Sequence, residues 1–565
     1  MAAFADQPFP VFPNLWEEPA KPRNINSSGI STKSSMSGSG DVEEWKPSKQ
    51  VWAIIAGQCC CIFVVCLDAT IFSASLPTVA GALHADAVSA YYAVLQPVAA
   101  ALADIFGRRS TFLSSLSIFT AGTVVCCTAQ GATQMLVGRT VQGLGASGIF
   151  SVNLIILSDI LPLRQRSKYV GIVQLVASFA TTFAPIVGAT LINVSWRWLF
   201  YINFPFCVVS LAIVPFLLRY VEAESTLYKK LGSIDWIGSV ISIIGATSFL
   251  LGLSWGGNSY AWNSAATLVP LILGTLLICA CIAYEHCVAR NPFLRFSCFG
   301  SRSAIVAYTC TVLASLTLFA EIYFISLFFL TVELYTPVAS FALFLAIATA
   351  VVPVSGVTGA LITSIGSYKW AVFSGWIINT FGLGALMILG PGSYVPGVIF
   401  LLIVGGIGAG MLFMAHQVAV QASCPPEDVA YASAIFSFCR SFGFCLGVAL
   451  GGTAFQNFLR QELFDRGLPI AIAADAEGYA SILKHMAAGA TTTEIINAYS
   501  FAFRYLWATM MGISALGFAL SFMVGEHTLD VQLAATHKLQ SKDMLPIEHE
   551  PVQAREKRSS RSSSC

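Results

Sequence analysis

The sequence predicts an all-α protein that crosses a membrane about fourteen times. Three observations support this prediction. Of the 565 residues, 56% are hydrophobic and 10% are charged, whereas about a quarter of the residues in soluble domains are charged. The mean hydropathy is +0.74, so most of the apolar surface must face lipid. The apolar residues form long segments, and a helix satisfies its own backbone hydrogen bonds inside lipid. A soluble globular enzyme is excluded.

Each predicted span has about 20 apolar residues, the length that crosses a hydrocarbon core about 30 Å thick. The spans, numbered in chain order, are 51–77, 88–106, 110–129, 133–161, 169–192, 197–218, 234–255, 264–286, 303–330, 337–363, 371–390, 396–420, 430–456 and 501–524. The first fifty residues are rich in Ser, Pro and Gly and contain no cleavable apolar core. They are predicted to form a solvated tail rather than a signal peptide.

The distribution of charge predicts the orientation. A net charge of +1 offers no general attraction for nucleic acid. Loops after even-numbered spans contain twelve basic residues: Arg108, Arg109, Arg164, Arg166, Lys168, Arg219, Lys229, Lys230, Arg290, Arg295, Arg302 and Lys369. Loops after odd-numbered spans contain four: Arg197, Arg460, Arg466 and Lys484. Because basic loops stay cytosolic, both termini are expected in the cytosol. The plasma membrane is the expected location, with a vacuolar or vesicle membrane as the alternative.

Cysteine and histidine spacing gives no sign of a metal site or of membrane-enzyme chemistry. Most of the sixteen cysteines lie inside apolar runs, where Cys behaves as a small hydrophobic residue. The seven histidines are scattered, whereas a desaturase or acyltransferase needs clustered histidines or a catalytic dyad. No G-x-x-x-x-G-K-[ST] loop occurs, so ATP is not the expected energy source. The chain is not expected to be an enzyme or to need a cofactor.

Small-residue patterns recur at nearly one offset, which predicts two duplicated halves. The matched sets are Ala100-x-Leu102 with Gly107 against Gly359-x-Leu361 with Gly366, Gly143-x-Gly145-Ala146 against Gly406-x-Gly408-Ala409, and Tyr169 against Tyr431, at offsets of 259, 263 and 262 residues. Such halves have parallel topology, so a solute site is expected between them near the midplane.

The repeat divides the chain into five regions. These are a cytosolic tail at 1–50, a six-helix half at 51–218, two inserted helices with their loops at 219–302, a second six-helix half at 303–525 with a long outer loop at 457–500, and a cytosolic tail at 526–565.

Several motifs carry a family resemblance. AALADIFGRR occupies 100–109 between spans 2 and 3, LVGR at 136–139 precedes QG at 142–143 on span 4, and LDAT occupies 67–70 on span 1. Together they resemble the major facilitator superfamily, and within it the fourteen-spanner drug:proton antiporters, especially fungal efflux pumps. The resemblance implies two six-helix halves plus two inserted helices. It also implies proton-coupled efflux of a small amphipathic toxin, drug or secondary metabolite.

Two departures from the family pattern leave alternatives open. The antiporter motif on span 5, usually glycine-proline followed by paired glycines, reads APIVGA at 184–189 and contains Pro185 and Gly188. This change favours an uptake permease on the same fold. The stretch between Pro77 and Asp104 is short for the family, as though part of span 2 were missing, which favours a transport-inactive member or sensor.

Asp68 and Arg139 are the predicted proton-coupling pair. An ionisable side chain at bilayer depth costs at least about 2.5–3.5 kcal/mol, so each one requires a partner or a purpose. At 1.5 Å per residue, Asp68 lies roughly 14 Å and Arg139 roughly 9 Å from the outer ends of their helices. One interpretation is that Asp68 takes up protons while the adjacent cation favours its charged form. The other is a permanent ion pair that locks spans 1 and 4.

Other polar residues in the spans are candidates for a substrate cavity. Glu321 and Tyr323 suit a cationic aromatic compound, but an aromatic stripe also packs helices together. Gln142, Gln417 and Gln421 either bind a solute or join helices by hydrogen bonds. His416 either titrates near neutrality or packs in the helix bundle.

The segment at 100–109 is the predicted gate. The predicted gating residues are Asp104, Gly107, Arg108 and Arg109. The three charged ones are expected to form pairs that change when the halves rock. Ordinary positive-inside anchoring would explain the arginines but not Asp104.

Asn193 begins a sequon in an outer loop, which makes it a glycosylation candidate, whereas the sequon at 26–28 is expected to be cytosolic and unmodified.

Overall fold

The computed structural model describes the helical part of the chain. The described residues are 47–71, 96, 98–191, 194–217, 232, 234–256, 260–289, 292, 294–426, 428–476, 478–486 and 489–529. The chain divides into two units, Met1–Pro47 and Ser48–Cys565, and the described helices lie in the second unit. Asn193, the sequon at 26–28 and residues 88–95 and 97 of predicted span 2 lie outside the described residues.

The described residues contain fifteen α-helices with assigned bounds. They are α1 Lys49–Ile71, α2 Arg108–Cys127, α3 Ala132–Ile160, α4 Leu163–Leu191, α5 Trp198–Tyr201, α6 Asn203–Leu217, α7 Trp236–Trp255, α8 Ala265–Cys287, α9 Arg302–Thr331, α10 Pro337–Ile365, α11 Lys369–Ala385, α12 Val395–Ala422, α13 Val429–Asp465, α14 Tyr479–His485 and α15 Ala490–Ser521. Residues 98–106 are also helical.

The observed helices agree with the predicted all-α membrane architecture. Within the described residues, twelve helical segments are long and apolar enough to cross a membrane. The 29-residue helix α4 corresponds to predicted span 5. The helix at 98–106 corresponds to the end of span 2. The prediction of about fourteen spans therefore holds as an approximation.

Local sequence explains where several helices begin and end. Asp235 accepts a hydrogen bond from Gly238 N (2.9 Å) and caps α7. Ser301 caps α9 in the same way through Ala304 N (3.0 Å). These side chains satisfy backbone donors that have no partner inside the helix. At its other end α10 stops at Gly366, whose φ of 77° is left-handed, a conformation that glycine adopts without strain.

The glycines of the internal repeat occupy corresponding places in the two halves. Gly107 follows the helix at 98–106 with a φ of 94°, as Gly366 follows α10 with positive φ. Gly145 brings α3 against the backbone of α2 at Phe119, and Gly408 brings α12 against the backbone of α11 at Asn379. The absence of a side chain permits both close approaches.

The two halves pack against each other through α4 with α10 and α3 with α13. Gly171 of α4 faces Gly356 of α10, where an added Cβ would lie 3.0 Å from the opposite Cα. The first half is held together by α1, which packs against α4 and α6. In the second half, α9 packs against α12, α13 and α15.

The predicted outer loop at 457–500 is largely helical, which corrects the sequence analysis. Helix α13 continues to Asp465, α14 lies within the predicted loop, and α15 begins at Ala490. Apolar side chains explain the difference. Leu459, Leu463 and Leu483 are buried in one cluster with the ends of α9 and α15, so this segment packs on the bundle.

Candidate functional site: a buried carboxylate and a polar gate

Asp68 lies three residues before the end of α1, and its buried carboxylate is reached from α3 and α6. Arg139 Nη1 lies 2.5 Å from one carboxylate oxygen. The other oxygen accepts hydrogen bonds from Gln142 Nε2 (3.2 Å) and Asn203 Nδ2 (2.7 Å). These four residues are called the Asp68 cluster. The contact that the depth estimate suggested between Asp68 and Arg139 is present.

Gln142 connects the Asp68 cluster to α2. Its Oε1 accepts a hydrogen bond from Arg139 Nη1 (2.9 Å), and its Nε2 donates to Thr123 Oγ1 (2.9 Å). Close approach of α2 and α3 makes this reach possible: a Cβ added to Gly138 would lie 2.5 Å from Cys126 Sγ. The cluster is thus positioned by four helices, α1, α2, α3 and α6, and by the small residues between α2 and α3.

The Asp68 cluster can support two charge arrangements. A buried carboxylate is costly unless it is paired and hydrogen-bonded, and Arg139 with the two amides meets that requirement. A proton on Asp68 would remove the charge that Arg139 neutralises. The guanidinium would keep its hydrogen bond to Gln142 but lose its ion pair.

A second group of polar side chains lies at the face of the bundle that carries the basic loops, and this face is called the arginine-rich face. The group itself is called the gate network. It consists of Asp104, Arg108, Asp159, Arg295, Asp428 and Tyr431. Arg108 pairs with Asp104 four residues earlier and places its Nε 3.0 Å from Asp159 at the end of α3. Arg108 thereby ties the helix at 98–106 to α2 and α3.

The gate network joins the two halves. Asp104 accepts hydrogen bonds from Tyr431 of α13 and from Arg295 Nη2 (3.3 Å). Arg295 also places Nη1 2.6 Å from Asp428, and its guanidinium lies 4.0 Å from the centre of the Tyr431 ring. Burial disfavours the charge of Arg295, but its hydrogen bond to Asp428 and the neighbouring negative charges hold its pKa above the usual value.

Further hydrogen bonds cross between the halves at the arginine-rich face. Arg166 Nη1 donates to Gln421 Oε1 (3.1 Å), and Ser167 Oγ donates to the Gly359 carbonyl (2.9 Å). Arg166 also donates to the carbonyls of Ser158 and Leu161. In this conformation the halves are therefore closed against each other at the arginine-rich face.

The six predicted substrate-cavity residues lie in different surroundings. Gln142 belongs to the Asp68 cluster. Gln421 binds Arg166 and donates to Ser433, so it joins the contacts at the arginine-rich face. Glu321 is fully buried and Tyr323, two residues later on α9, is partly buried.

His416 and Gln417 lie buried on α12, where the ring centre of His416 is 5.6 Å from that of Trp376. Their hydrogen-bond and packing partners differ because the depth of a residue along its helix does not determine which way it faces, and their role in a substrate cavity stays a prediction.

The remaining predicted site residues lie on α2 and α4. Gly188 packs against α1, where an added Cβ would lie 2.5 Å from the Ile71 carbonyl oxygen. Pro185 lies within α4, and Arg109 follows Arg108 at the start of α2. The APIVGA motif therefore lies on the helix that packs against both α1 and α10.

Several functional residues were missed from the sequence. Asn203 was not among the candidates named from the sequence, although an amide at the start of an apolar helix is a usable signal; the structure shows that it is buried. Asp159, Arg295 and Asp428 lie far from the motif at 100–109 along the chain. Their pairing with it depends on the packing of helices, which no local pattern reveals. Tyr431 was noted only as the repeat partner of Tyr169.

Two matching helical halves that contact each other through polar side chains at one face are the architecture of a membrane transporter. The chain belongs to the Major Facilitator Superfamily, whose family model matches residues 59–448. The predicted fold and family are therefore confirmed, and the family is one of transporters rather than enzymes, as expected.

Relatives of similar length support this assignment. The chain is 36% identical to MFS transporter L2 of Phoma sp. (strain ATCC 20986 / MF5453), over 89% of this chain and 87% of that protein. It is 31% identical to MFS-type efflux pump LUC4 of Fusarium sp, over 88% and 92%. It is also 31% identical to efflux pump FUS6 of Gibberella moniliformis (strain M3125 / FGSC 7600), over 88% and 92%.

Two solved structures share the fold. The human organic anion transporter MFSD10 (TETRAN) matches with a TM-score of 0.53 and 16% identity, over 84% of this chain and all of that chain. The proton:xylose symporter XylE, bound to 6-bromo-6-deoxy-D-glucose, matches with a TM-score of 0.50 and 12% identity, over 85% and 97%. At these identities the likeness shows the fold alone.

Proposed function

We propose that the chain exports small amphipathic compounds, such as a toxin, a drug or a secondary metabolite, and that proton entry drives the export. The Asp68 cluster carries this proposal, because its carboxylate is buried, paired with one cation and held by two amides. Relatives named efflux pumps support the outward direction. The energy source is the proton gradient, without ATP or another cofactor.

The gate network supports an exchange mechanism in this proposal. We assign the arginine-rich face to the cytosol because basic loops stay there, which also places both termini in the cytosol. With that face closed, an alternating-access transporter opens outward. A proton from outside neutralises Asp68 and frees Arg139 from its ion pair. The halves then rock, the gate network separates, and the proton leaves on the cytosolic side before a compound binds for export.

Proton-coupled uptake on the same fold is the second candidate. The APIVGA sequence, which lacks the paired glycines of the antiporter motif, favours it. Because α4 packs against both α1 and α10, a change in this helix affects the contact between the halves. The direction in which the compound moves distinguishes the two candidates.

Retention of preloaded compounds tests the proposal. Cells that express the chain are loaded with a panel of labelled toxins and aromatic cations, and the loss of each compound is followed with and without a protonophore. Asp68→Asn is compared with Asp235→Asn, which keeps a side-chain oxygen for the cap of α7 and lies outside both halves. Surface expression is measured for every variant, and location at the plasma membrane is checked by imaging.

The proposal expects faster loss of at least one compound with the wild-type chain and with Asp235→Asn. The protonophore and Asp68→Asn each abolish the effect. Normal proton-dependent loss in Asp68→Asn would contradict the role of this carboxylate. Greater retention than in control cells would favour uptake, and unchanged retention of every compound at normal expression would favour a transport-inactive chain.

A further inference from the structure

Glu321 on α9 has a position comparable to that of Asp68 on α1. Lys49 to Asp68 and Arg302 to Glu321 are both steps of 19 residues, and α1 and α9 are the first helices of the two halves. Because both helices enter from the arginine-rich face, the two carboxyl groups lie at similar depth. The repeat thus places one acidic side chain at this level in each half.

The surroundings of Glu321 differ from those of Asp68. Glu321 is 0% exposed, and neither of its side-chain oxygens has a hydrogen-bond partner in the described part of the chain. Its neighbours along α9, Ala320 and Phe324, belong to the buried apolar cluster between α9, α12, α13 and α15. The Glu321 carboxyl is therefore enclosed by apolar side chains.

Gly405 leaves the space that the Glu321 carboxyl occupies, and Gly382 lets α11 approach Gly405. A Cβ added to Gly405 of α12 would lie 2.6 Å from Glu321 Oε1. On its other side Gly405 meets Gly382 of α11, where an added Cβ would lie 2.8 Å from the Gly405 Cα. A side chain at Gly405 would displace the carboxyl group. The sequence thus provides a fitted space for it between α9 and α12.

No charged group within the described residues stabilises an ionised Glu321. Helix α9 packs against α10, α12, α13 and α15, and no described side chain on these helices forms a hydrogen bond with the Glu321 carboxyl. The buried tyrosine of the surrounding cluster, Tyr499, donates its hydroxyl hydrogen to the Ala476 carbonyl (2.9 Å). An unpaired carboxylate in hydrocarbon costs far more than the neutral acid.

We propose that Glu321 is a second proton-carrying carboxyl group and that the chain moves two protons per transport cycle, one in each half. In the closed-gate conformation Glu321 holds its proton while Asp68 is ionised beside Arg139. Movement of α9 against α12 admits water to Gly405 and Glu321. The O–H bond then breaks, the proton passes to water, and the carboxylate takes up another proton when the cycle returns. This inference rests on the proposed proton coupling.

Infrared spectroscopy of the purified full-length protein in lipid bilayers tests the protonation state without a transported compound. The wild type at neutral pH is expected to show the C=O stretching band of a buried carboxylic acid. Glu321→Gln, a neutral variant of nearly the same shape, is expected to lose that band. Asp68→Asn is expected to keep it, because Asp68 is ionised in this conformation.

The spectra separate this inference from the proposed function. A band that persists unchanged in Glu321→Gln, or that is lost only in Asp68→Asn, would overturn the inference even if export is proton-driven. If Glu321→Gln does not fold, Glu321→Asp replaces it. A shift of the band in Glu321→Asp supports the inference, and an unshifted band overturns it.

Proton counting gives the second test. Vesicles containing the chain are supplied with a compound from the retention panel that the wild type transports, and protons released per molecule are measured with a pH dye. Glu321→Gln is expected to halve this ratio while transport continues. An unchanged ratio would overturn the second proton site.

Discussion

Replacing Arg139 by leucine should destabilise the folded chain strongly, because it leaves Asp68 without its cation. In this variant Asp68 would keep its two amide donors, Gln142 at 3.2 Å and Asn203 at 2.7 Å in the wild type, but it would lose the ion pair with Arg139, which spans 2.5 Å. The Asp68 side chain is 5% exposed, so water does not replace the lost charge. Breaking a buried pair by removing one partner costs about 3–5 kcal/mol. Thermal unfolding of the purified protein in detergent should show a fall of several degrees in Tm.

The double variant Asp68→Asn with Arg139→Leu separates the ion pair from packing. With both charges removed, we expect recovery of about 0.5–3 kcal/mol relative to Arg139→Leu alone, the range of coupling between contacting residues. Arg460→Leu is the matched control, since Arg460 is exposed at the end of α13, and it should change stability by less than about 0.5 kcal/mol. The reasoning is refuted if Arg139→Leu is as stable as Arg460→Leu, or if the second substitution restores nothing.

Two other predictions concern the gate and the helix contacts. Arg295→Ala should change stability by about 1 kcal/mol or less, because the Arg295 side chain is 40% exposed. Cys424 is buried beside this network, since its Sγ lies 3.3 Å from the Sγ of Cys298, which contacts the Asp428 carbonyl. Arg295→Ala should therefore speed maleimide labelling of Cys424 severalfold by loosening the closed face, and unchanged labelling would contradict the gate assignment. Gly145→Val should lower stability by about 1–3 kcal/mol, because its Cβ would lie 2.6 Å from the Ser115 carbonyl oxygen, whereas Gly512→Val, with nothing within 4 Å, serves as the control. Equal Tm values for the two valine variants would show that α2 and α3 do not depend on this contact.

The sequence was sufficient to predict the parts of the fold that depend on local physics. Hydrophobic length identified the spans, and the small-residue repeat identified the two halves, because membrane helices approach closely where side chains are absent. Depth along a helix placed Asp68 and Arg139 at compatible levels. The helical structure within 457–500 was missed because its apolar residues are separated by polar ones, and Leu459 and Leu483 become buried only when the bundle forms.

The rest of the candidate site depends on which way each helix faces. Asn203 reaches Asp68 across 135 residues of sequence, and Tyr431 reaches Asp104 across 327. Gln421 was expected near a substrate but lies against Arg166. These pairings depend on how the helices rotate and cross. Lipid and the protein interior are both apolar, so a single sequence gives little indication of which face of a membrane helix points inward.

Transport by purified protein under an imposed pH gradient tests the central claim most directly. The wild-type chain is reconstituted into vesicles with an acidic interior, and a compound identified in the retention panel is added outside. The account predicts that the compound accumulates on the acidic side as protons leave, that Asp235→Asn behaves as the wild type, and that Asp68→Asn shows no accumulation. Accumulation that does not depend on the gradient, or that persists in Asp68→Asn, would contradict it.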